Sequence, residues 1–585
     1  MRFFLYIFLS LFTYITFPKN ASGQFPHGYF RSPINEKIEL SGNFGELRPN
    51  HFHTGIDIKI CGVEGLPIYA AADGYVSRIG ISPVGYGNVL YIAHPNGYTT
   101  VYAHLYRFAN NISGYVRQVQ YQTQSFEQDM MLDAEKFPVK KGDLIGFGGN
   151  SGGSHGAHLH FEIRETKTEK PVNPLLFGFD IPDSVSPVIR SVKIYPLEEN
   201  SYLQVNFSNK KIIKGFEGQS IKLDAVKIKG TYYLKGVSSI KAQGPIGFAI
   251  QADDYIQGVH NTLGVYSVEL CLNSQRQYFH QMQRLDFSLK RFINTHTDYT
   301  ERSHSGKWYE KSFIRGNNEL PIYSGLQNNG IININGTDEF KFAYYLKDAN
   351  ANLSTLVFNV TPVTAPVDFS QKPTASHTEG TIKIPYSQEY SLSNENFSVK
   401  MPKNTLYEDI SCQYNVLPKT PKAYSSVHEL GSHKIPVHDF YEIAIKADEV
   451  PHRLAEKAFI VSQTSGYLGG TMENGWLKTK ARTLGKFYIM ADTTPPALIP
   501  GNIQAAGSNL WKSTGIRFKI SDNQSGIKSY KGFIDGKWVL FQYDAKSALI
   551  YYFFDEFCPP GKHILEMEIT DNRNNIRRWK AEFVR

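Results

Sequence analysis

Short apolar runs, each followed by glycine, proline or polar residues, recur along most of this 585-residue sequence. Between positions 44 and 164 the runs are rich in β-branched and aromatic residues, as at 89–92 (VLYI) and 99–102 (TTVY). Runs of this length and composition, bounded by turn residues, are typical of β-strands. The 36 Tyr and 38 Phe residues favour strands as well. We therefore predict a mostly β protein that begins with a compact antiparallel β domain.

A tight hairpin is predicted within this first domain. The pair Asn96-Gly97 lies between two of the apolar runs, and this dipeptide is the strongest short-range signal for a hairpin. The second strand of the hairpin would then carry His104 at its end.

The length implies several domains, because a single hydrophobic core stops growing well below 585 residues. A degenerate repeat supports this interpretation. Segments 183–187 (DSVSP) and 492–496 (DTTPP) each open a series of strands, and 348–352 (DANAN) and 571–575 (DNRNN) each precede a last strand. Such a pattern resembles immunoglobulin-like sandwiches. We predict a first domain at 24–180, a β-sandwich region at 183–365, a β-rich domain at 373–491 and an immunoglobulin-like β-sandwich at 492–585.

The N-terminus has the layout of a secretory signal peptide. Arg2 precedes an apolar run at 3–17, and small residues at 21–23 lie before Gln24, so we predict cleavage after Gly23. An uncleaved anchor is the alternative, but the run is shorter than the roughly 20 residues that span a bilayer.

The charge pattern does not indicate a nucleic-acid partner. The net charge of +8 is small for this length, and lysine and arginine are not gathered into long runs. We therefore expect no nucleic-acid groove.

Three short segments carry residues suited to metal chemistry: 53–57 (HTGID), 102–105 (YAHL) and 152–162 (GGSHGAHLHFE). A hydrolytic Zn²⁺ site needs three nitrogen or oxygen ligands and one open position for water. His158 and His160 are two apart on a predicted strand and share a face, so one can bind metal while the other reaches the water. His53 and Asp57 are four residues apart in a segment predicted to be extended, so their side chains also point to one face. Gly55 between them permits close backbone approach.

Together these segments resemble those of the lysostaphin/LytM-type zinc peptidases, whose pattern reads HxxxD, then a histidine before leucine, then HxH. The resemblance covers about residues 40–175. It implies that His53, Asp57 and His160 bind Zn²⁺. It also implies that His158 is the general base that activates water, and that His104 orients this water or stabilises the oxyanion.

Some features depart from the family pattern or compete with it. His155 and Ala157 replace residues that are usual in the family, and a polar insertion at about 117–137 would form a flap or short helix that narrows the cleft. His51 is an alternative ligand, although only His53 has the four-residue spacing to Asp57. The segment 428–433 (HELGSH) mimics a zincin motif, but its histidines are five apart, and we interpret it as a surface loop.

The resemblance implies a zinc metalloendopeptidase that hydrolyses peptide cross-links or stem peptides of peptidoglycan, in the periplasm or cell envelope. The β-rich tail would position the enzyme or bind envelope protein partners. One alternative is a non-catalytic LytM-type regulator of other cell-wall hydrolases, and another is a zinc peptidase that acts on proteins. Retention of all five site residues favours catalysis. The sequence makes no prediction of oligomeric state.

Overall fold

The structure is a computed structural model that describes residues 25–372 and 380–585. The predicted signal peptide at 1–23 and the start of the predicted domain at 373 lie outside the described residues. Strands account for 47% of the described residues and helices for 8%, which confirms the predicted mostly β class. Among the described residues, no helix is both long and apolar enough to cross a bilayer.

The first part of the chain folds around an 11-stranded sheet. Its central strands run in the order Leu40–Gly42, Ile56–Lys59, His158–Glu165, Tyr98–Phe108, Asn88–Ala93, Gly74–Ile81 and Pro138–Val139. The other elements of this part are strands Leu47–Arg48, His51–Phe52, Pro67–Tyr69, Gln128–Met131, Leu144–Gly148 and Pro171–Val172, the helix Asn110–Thr123 and the 3-10 helix Pro174–Phe177. One face of the sheet carries buried aliphatic and aromatic residues such as Ile58, Tyr102 and Phe161, and these form the core.

The predicted hairpin is present. Strands Asn88–Ala93 and Tyr98–Phe108 pair antiparallel, and Gly97 in the turn has a φ of 83°, a value that favours glycine. The sequence had placed His104 at the end of the second strand. The strand continues to Phe108, so His104 lies inside it.

The predicted flap or short helix at about 117–137 overlaps one helix and one strand. These are the helix Asn110–Thr123 and the strand Gln128–Met131, which pairs with Gly74–Ile81. The helix buries Ile112 and Val116 against the first core, so its apolar face lies partly before the polar stretch.

A second group of strands forms a 12-stranded sheet around its own core of buried residues. The strands are Val188–Pro196, Tyr202–Phe207, Ile212–Phe216, Ile221–Ile228, Thr231–Leu234, Val237–Asp253, Ser267–Leu272, Gln275–Gln281, Glu310–Lys311, Ile332–Ile334, Phe340–Lys347 and Leu353–Pro362. Short helices accompany them at Phe287–Phe292, Ile293–His296, Tyr299–Ser305, Asn328–Gly330 and Phe369–Gln371.

The remaining chain forms two pairs of sheets, each pair enclosing a core. The first pair contains Thr381–Ile384, Tyr390–Ser393, Phe397–Met401, Ile410–Leu417, Val427–Leu430, Tyr441–Lys446, Ala458–Ser462, Gly466–Tyr467, Thr471–Glu473, Trp476–Ala481 and Gly485–Ala491, with a 3-10 helix at His452–Lys457. The second pair contains Ala497–Pro500, Ser508–Asn509, Gly515–Ser521, Ile527–Ile534, Lys537–Val539, Gln542–Asp544, Leu549–Phe553, Lys562–Asp571 and Ile576–Val584.

The two repeated sequence motifs occupy matching positions. Asn352 Nδ2 donates to the carbonyl oxygen of Asp183 at 3.1 Å, and Asn575 Nδ2 donates to that of Asp492 at 2.9 Å. In both places the end of the last turn is therefore tied to the segment that opens the series of strands.

A shared apolar core joins three of these parts. Phe44 and Phe52 from the first part pack with Met282 and Phe292 from the second and with Tyr407 from the third, and all five are buried. Gly45 lies so close to Met282 that a Cβ there would be 2.5 Å from Met282 Cγ. The segment that precedes His53 is thus held by residues from outside its own sheet.

Candidate metal centre

Pairing of the central strands brings His160 opposite Asp57 and opposite Ala103. Directly opposed residues of neighbouring strands point to the same face, so His160 and Asp57 lie together on the side of the sheet away from the core. His158 shares this face, because it is two residues from His160.

Gly55 permits this pairing. A Cβ at Gly55 would lie 2.4 Å from the carbonyl oxygen of Phe161, closer than such atoms can approach. The chain therefore needs glycine here to bring His53 beside the strand His158–Glu165, as the sequence predicted.

Three side-chain atoms converge on one point in the site. His53 Nε2 lies 3.0 Å from Asp57 Oδ1, His160 Nδ1 lies 2.9 Å from the same oxygen, and the two nitrogens are 3.0 Å apart. All three residues are buried. Ligand atoms around a tetrahedral zinc ion, each about 2.0–2.1 Å from it, are about 3.3 Å apart, so this arrangement fits Zn²⁺ after a small expansion.

Hydrogen bonds at the far side of each imidazole favour metal binding. His53 Nδ1 donates to the carbonyl oxygen of Asn43 at 2.7 Å, and His160 Nε2 donates to Glu162 Oε1 at 2.8 Å. Carbonyl and carboxylate oxygens can only accept, so protons lie on these outer nitrogens. The inner nitrogens face Asp57 and are the ones that can offer a lone pair to a metal.

Asn43, whose carbonyl oxygen orients His53, is itself held by the second part of the chain. Asn43 Nδ2 donates to the carbonyl oxygen of Gly264 at 2.7 Å, and the backbone N–H of Gly264 donates back to Asn43 Oδ1 at 2.8 Å. The orientation of His53 therefore depends on a contact between two parts of the protein.

Glu162 is the buried anion behind His160. Its Oε1 accepts from Thr54 Oγ1 at 2.7 Å and from Tyr86 OH at 2.6 Å, and its Oε2 accepts from Arg164 Nε at 2.6 Å. Burial alone would raise the pKa of Glu162, but the Arg164 charge and the His160 hydrogen bond outweigh it and lower the pKa far below its usual value. The carboxylate therefore stays ionised and accepts a strong hydrogen bond from His160 Nε2.

Arg48 restricts Asp57 to one free oxygen. Its guanidinium donates to Asp57 Oδ2 at 2.6 Å, which leaves Oδ1 for the metal position. Burial would raise the pKa of Asp57, but the nearby histidines lower it well below its usual value, so this carboxylate is ionised at neutral pH.

The pKa values of His53 and His160 shift in opposite directions. Burial lowers the pKa of His53 to about 4, so this ring is neutral. Burial also disfavours charge on His160, but hydrogen bonds to Asp57 and Glu162 outweigh it and raise its pKa to about 9. Without metal, a proton on His160 occupies the space between the acceptor atoms, and metal must displace it.

A β-bulge turns His104 towards the site. Tyr102 pairs with Leu90 and Leu105 pairs with Asn88, so two residues, Ala103 and His104, face a single residue of the neighbouring strand. His104 has a φ of 60°. Tyr102 and Leu105 both lie in the core. Regular alternation from Tyr102 would place His104 in the core as well, but the bulge places it on the opposite face, beside Asp57.

His104 and His158 stand beside the three converging atoms. Their ring centroids are 4.9 Å apart, and His158 Nε2 lies 3.4 Å from Asp57 Oδ1. Each Nδ1 donates to a carbonyl oxygen, His158 to Gly156 at 2.8 Å and His104 to Ser151 at 2.9 Å. Each Nε2 is therefore free of a proton while the ring is neutral. Burial lowers the pKa of His104 to about 3, so this ring is neutral at pH 7.

Comparison with known proteins supports a peptidase relationship. Residues 51–122 match Peptidase family M23, and residues 381–492 match the Zu5-like domain. DD-carboxypeptidase/endopeptidase Mpg of Neisseria meningitidis serogroup B is 34% identical over 158 residues, which are 27% of this chain and 27% of that protein. The chain carries a LytM-type domain of peptidase family M23.

Other relatives of the M23 domain differ in their described roles. Murein hydrolase activator NlpD of Salmonella dublin is 34% identical over 158 residues, 27% of this chain and 33% of that protein. A mutant catalytic domain of the prophage-encoded M23 protein EnpA from Enterococcus faecalis is 28% identical and covers 26% of this chain and 94% of that one, with a TM-score of 0.18. The chain thus spans only 27% and 33% of the length of these curated relatives.

The competing histidine, His51, is not part of the group of converging ligand atoms formed by His53, Asp57 and His160. His51 is exposed on a short strand, with its ring against the carbonyl oxygen of Pro49, and His155 is exposed. The interpretation of 428–433 as a surface loop was wrong in part. His428 is buried in strand Val427–Leu430 and stacks on Phe397, because alternate residues of that strand face the third core. His433 is exposed.

Several residues that support the site had no predicted role. Glu162 could have been found from its spacing, since it is two residues beyond His160 on the same face. The Tyr86 and Asn43 contacts had no local signal, because each depends on how distant segments fold together.

Proposed function

We propose that the M23 domain is a zinc-dependent metalloendopeptidase that hydrolyses peptide cross-links or stem peptides of peptidoglycan. His53, Asp57 and His160 would hold the zinc ion, and His104 and His158 would act on the reacting groups. The observation that carries this proposal is the orientation of all four imidazoles. Each is held at its outer nitrogen by an oxygen acceptor, so that its other nitrogen is free for a metal or a proton.

Bound zinc would supply Lewis acidity, which polarises a carbonyl group and makes water a nucleophile at neutral pH. His158 Nε2 would take the proton from the attacking water and return it to the leaving amine. The hydrogen bond from His158 Nδ1 to Gly156 fixes the tautomer needed for the first step. Neutral His104 would orient the water or stabilise the oxygen that gains negative charge.

Access to the reacting groups supports catalysis. The His158 side chain is 17% exposed, whereas that of Asp57 is 8% exposed. The ligands are thus shielded, while the proposed base lies at the open side, where a substrate can approach it.

We further propose that the protein acts in the periplasm or cell envelope and that its domains lie at 24–180, 183–365, 373–491 and 492–585. The similarity to Mpg and NlpD supports the location. The reciprocal Asn43–Gly264 hydrogen bonds support a positioning role for the tail, since they orient a proposed ligand. Binding of envelope protein partners by the tail remains part of the proposal.

A second candidate is activation of other cell-wall hydrolases. The similarity to a protein named Murein hydrolase activator favours it. The retained constellation favours catalysis, because a pure activator does not require His104 or His158.

The test uses the chain without residues 1–23, loaded with zinc and incubated with cross-linked peptidoglycan. New amines and released muropeptides are measured with and without a chelator, and His160→Ala is compared with the control His51→Ala. We expect release by the wild type and by His51→Ala only. If the zinc-loaded wild type releases nothing but accelerates a separately purified murein hydrolase, the regulatory role replaces the enzymatic one.

A further inference from the structure

A second cluster of metal-binding residue types lies outside the M23 site. His280 is in strand Gln275–Gln281, His296 ends the helix Ile293–His296, and Glu310 begins strand Glu310–Lys311. Both histidine side chains are 0% exposed and that of Glu310 is 9% exposed. Charged and polar groups are rarely buried so completely unless they are paired or bind a metal.

Their ligand atoms all lie within 4.8 Å of one another. Glu310 Oε2 lies 3.1 Å from His280 Nε2 and 3.1 Å from His296 Nε2. The two rings are 4.9 Å apart between centroids, the same separation as between His53 and His160. A single ion can therefore reach all three residues.

The outer nitrogens of both rings have hydroxyl partners. His280 Nδ1 lies 3.0 Å from Tyr278 OH, and His296 Nδ1 lies 3.0 Å from Tyr323 OH. When each Nδ1 donates its proton to the hydroxyl, both Nε2 atoms present lone pairs towards Glu310. Histidine ligands in metal sites usually have this arrangement.

A hydrogen-bonded network alone does not account for His280. His296 Nε2 has hydrogen-bond geometry towards Glu310, but His280 Nε2, although fully buried, has no hydrogen-bond partner. The Glu310 oxygen 3.1 Å away is an ion-pair neighbour of this nitrogen and not a hydrogen-bond acceptor for it. A buried polar nitrogen without a partner needs an explanation, and an ion between the three residues supplies one.

We propose that His280, His296 and Glu310 bind a structural zinc ion. Two imidazole nitrogens and a carboxylate suit Zn²⁺, and the second oxygen of Glu310 can complete four-coordination. The cluster is closed to solvent, so a structural role fits and a catalytic one does not. This proposal does not depend on the function proposed for the M23 domain.

The second ion would stabilise the segment next to the first site. The ring of Phe52, which precedes His53, is 5.8 Å from that of His296. Asn294, on the same short helix, donates from Nδ2 to Asn50 Oδ1 at 3.0 Å. An ion on His296 would therefore fix a helix that packs against the segment leading to His53.

The test counts metal in the protein without residues 1–23, produced with zinc in the medium and passed over a desalting column. We expect two zinc ions per chain for the wild type by elemental analysis. The His160→Ala variant, with the second cluster intact, should retain one ion. Removal of this remaining zinc ion by a strong chelator should lower the melting temperature of the variant, and added zinc should restore the melting temperature.

Variants of the cluster locate that remaining ion. In the His160→Ala background, Glu310→Gln should leave no zinc, whereas His428→Gln, which alters another buried histidine, should leave one. Substitution of Co²⁺ into His160→Ala should give the visible absorption of a four-coordinate site with nitrogen and oxygen ligands. One ion in the wild type and none in His160→Ala would overturn the proposal. One ion in both would instead support the second site and refute the first.

Discussion

His158 Nε2 lies 3.4 Å from Asp57 Oδ1, the same oxygen that faces the ring nitrogens of His53 and His160. The proposed base and the proposed ligands thus surround one carboxylate oxygen. His158 is too far from Asp57 for a strong hydrogen bond, so its Nε2 remains available to a water molecule.

Replacement of His158 should separate metal binding from catalysis. We expect His158→Ala to keep its zinc, because the three proposed ligands are intact, and to lose about 10²–10⁴-fold in the rate of peptidoglycan hydrolysis, since a general base typically contributes that much. Zinc content and muropeptide release are measured on the same preparation. His51→Ala serves as the matched control, and loss of zinc from His158→Ala would assign His158 to the ligands.

Glu162 should affect zinc affinity through His160. We expect Glu162→Gln to weaken zinc binding by about 10–100-fold, because partners that hold ligand histidines usually have effects of that size. Competition with a coloured chelator measures the change. Tyr86→Phe removes one donor to Glu162 but keeps the carboxylate, so its effect should be smaller. Equal affinities for Glu162→Gln and the wild type would contradict the assigned role.

Zinc binding should release a proton at neutral pH. The pKa of His160 is raised to about 9 by its two carboxylate partners, which outweigh burial, whereas burial lowers that of His53 to about 4. Of the three proposed ligands of this site, only His160 carries a proton at pH 7 that metal must displace, so about one proton should leave per zinc ion bound at this site. Above pH 9 this release should disappear.

Calorimetric titration in two buffers of different ionisation enthalpy measures this proton. In His160→Ala, zinc binding at the site is expected to be lost together with the release. A wild type that binds zinc at pH 7 without proton release would show that His160 is neutral in the metal-free protein.

The C-terminal part should be held in place by the helix Asn110–Thr123. Tyr121 on this helix stacks on Phe557 with ring centroids 4.2 Å apart, and its hydroxyl donates to Asp555 at 2.5 Å. We expect Tyr121→Ala to destabilise this contact by about 1–3 kcal/mol and to raise hydrogen exchange in strand Leu549–Phe553. Tyr115→Ala is the control, because Tyr115 packs on Phe137 within the M23 domain. Unchanged exchange in Tyr121→Ala would contradict the contact.

Period-two alternation predicted part of the site well. It placed His158 and His160 on one face, and the structure shows both beside Asp57. The same rule fails for His104, because the bulge at Ala103 and His104 shifts the alternation by one residue. No pattern in the strand itself marks such an insertion, so the position of His104 could be expected only from the family resemblance.

The repeat and the strand-rich class also follow from local signals, since turns and apolar runs are encoded in short segments. The contacts of Asn43 with Gly264 and of Gly45 with Met282 do not. They join positions more than two hundred residues apart in the chain, and nothing near either residue in the sequence indicates its partner.

The apolar core shared by Phe44, Phe52, Met282, Phe292 and Tyr407 has an evolutionary consequence. A substitution at Phe52 alters the packing of three parts of the protein and also the segment next to His53. Such parts cannot be exchanged one at a time between related genes without leaving a mismatched apolar surface. The M23 domain of this chain is therefore expected to diverge in step with its tail, as a single inherited unit.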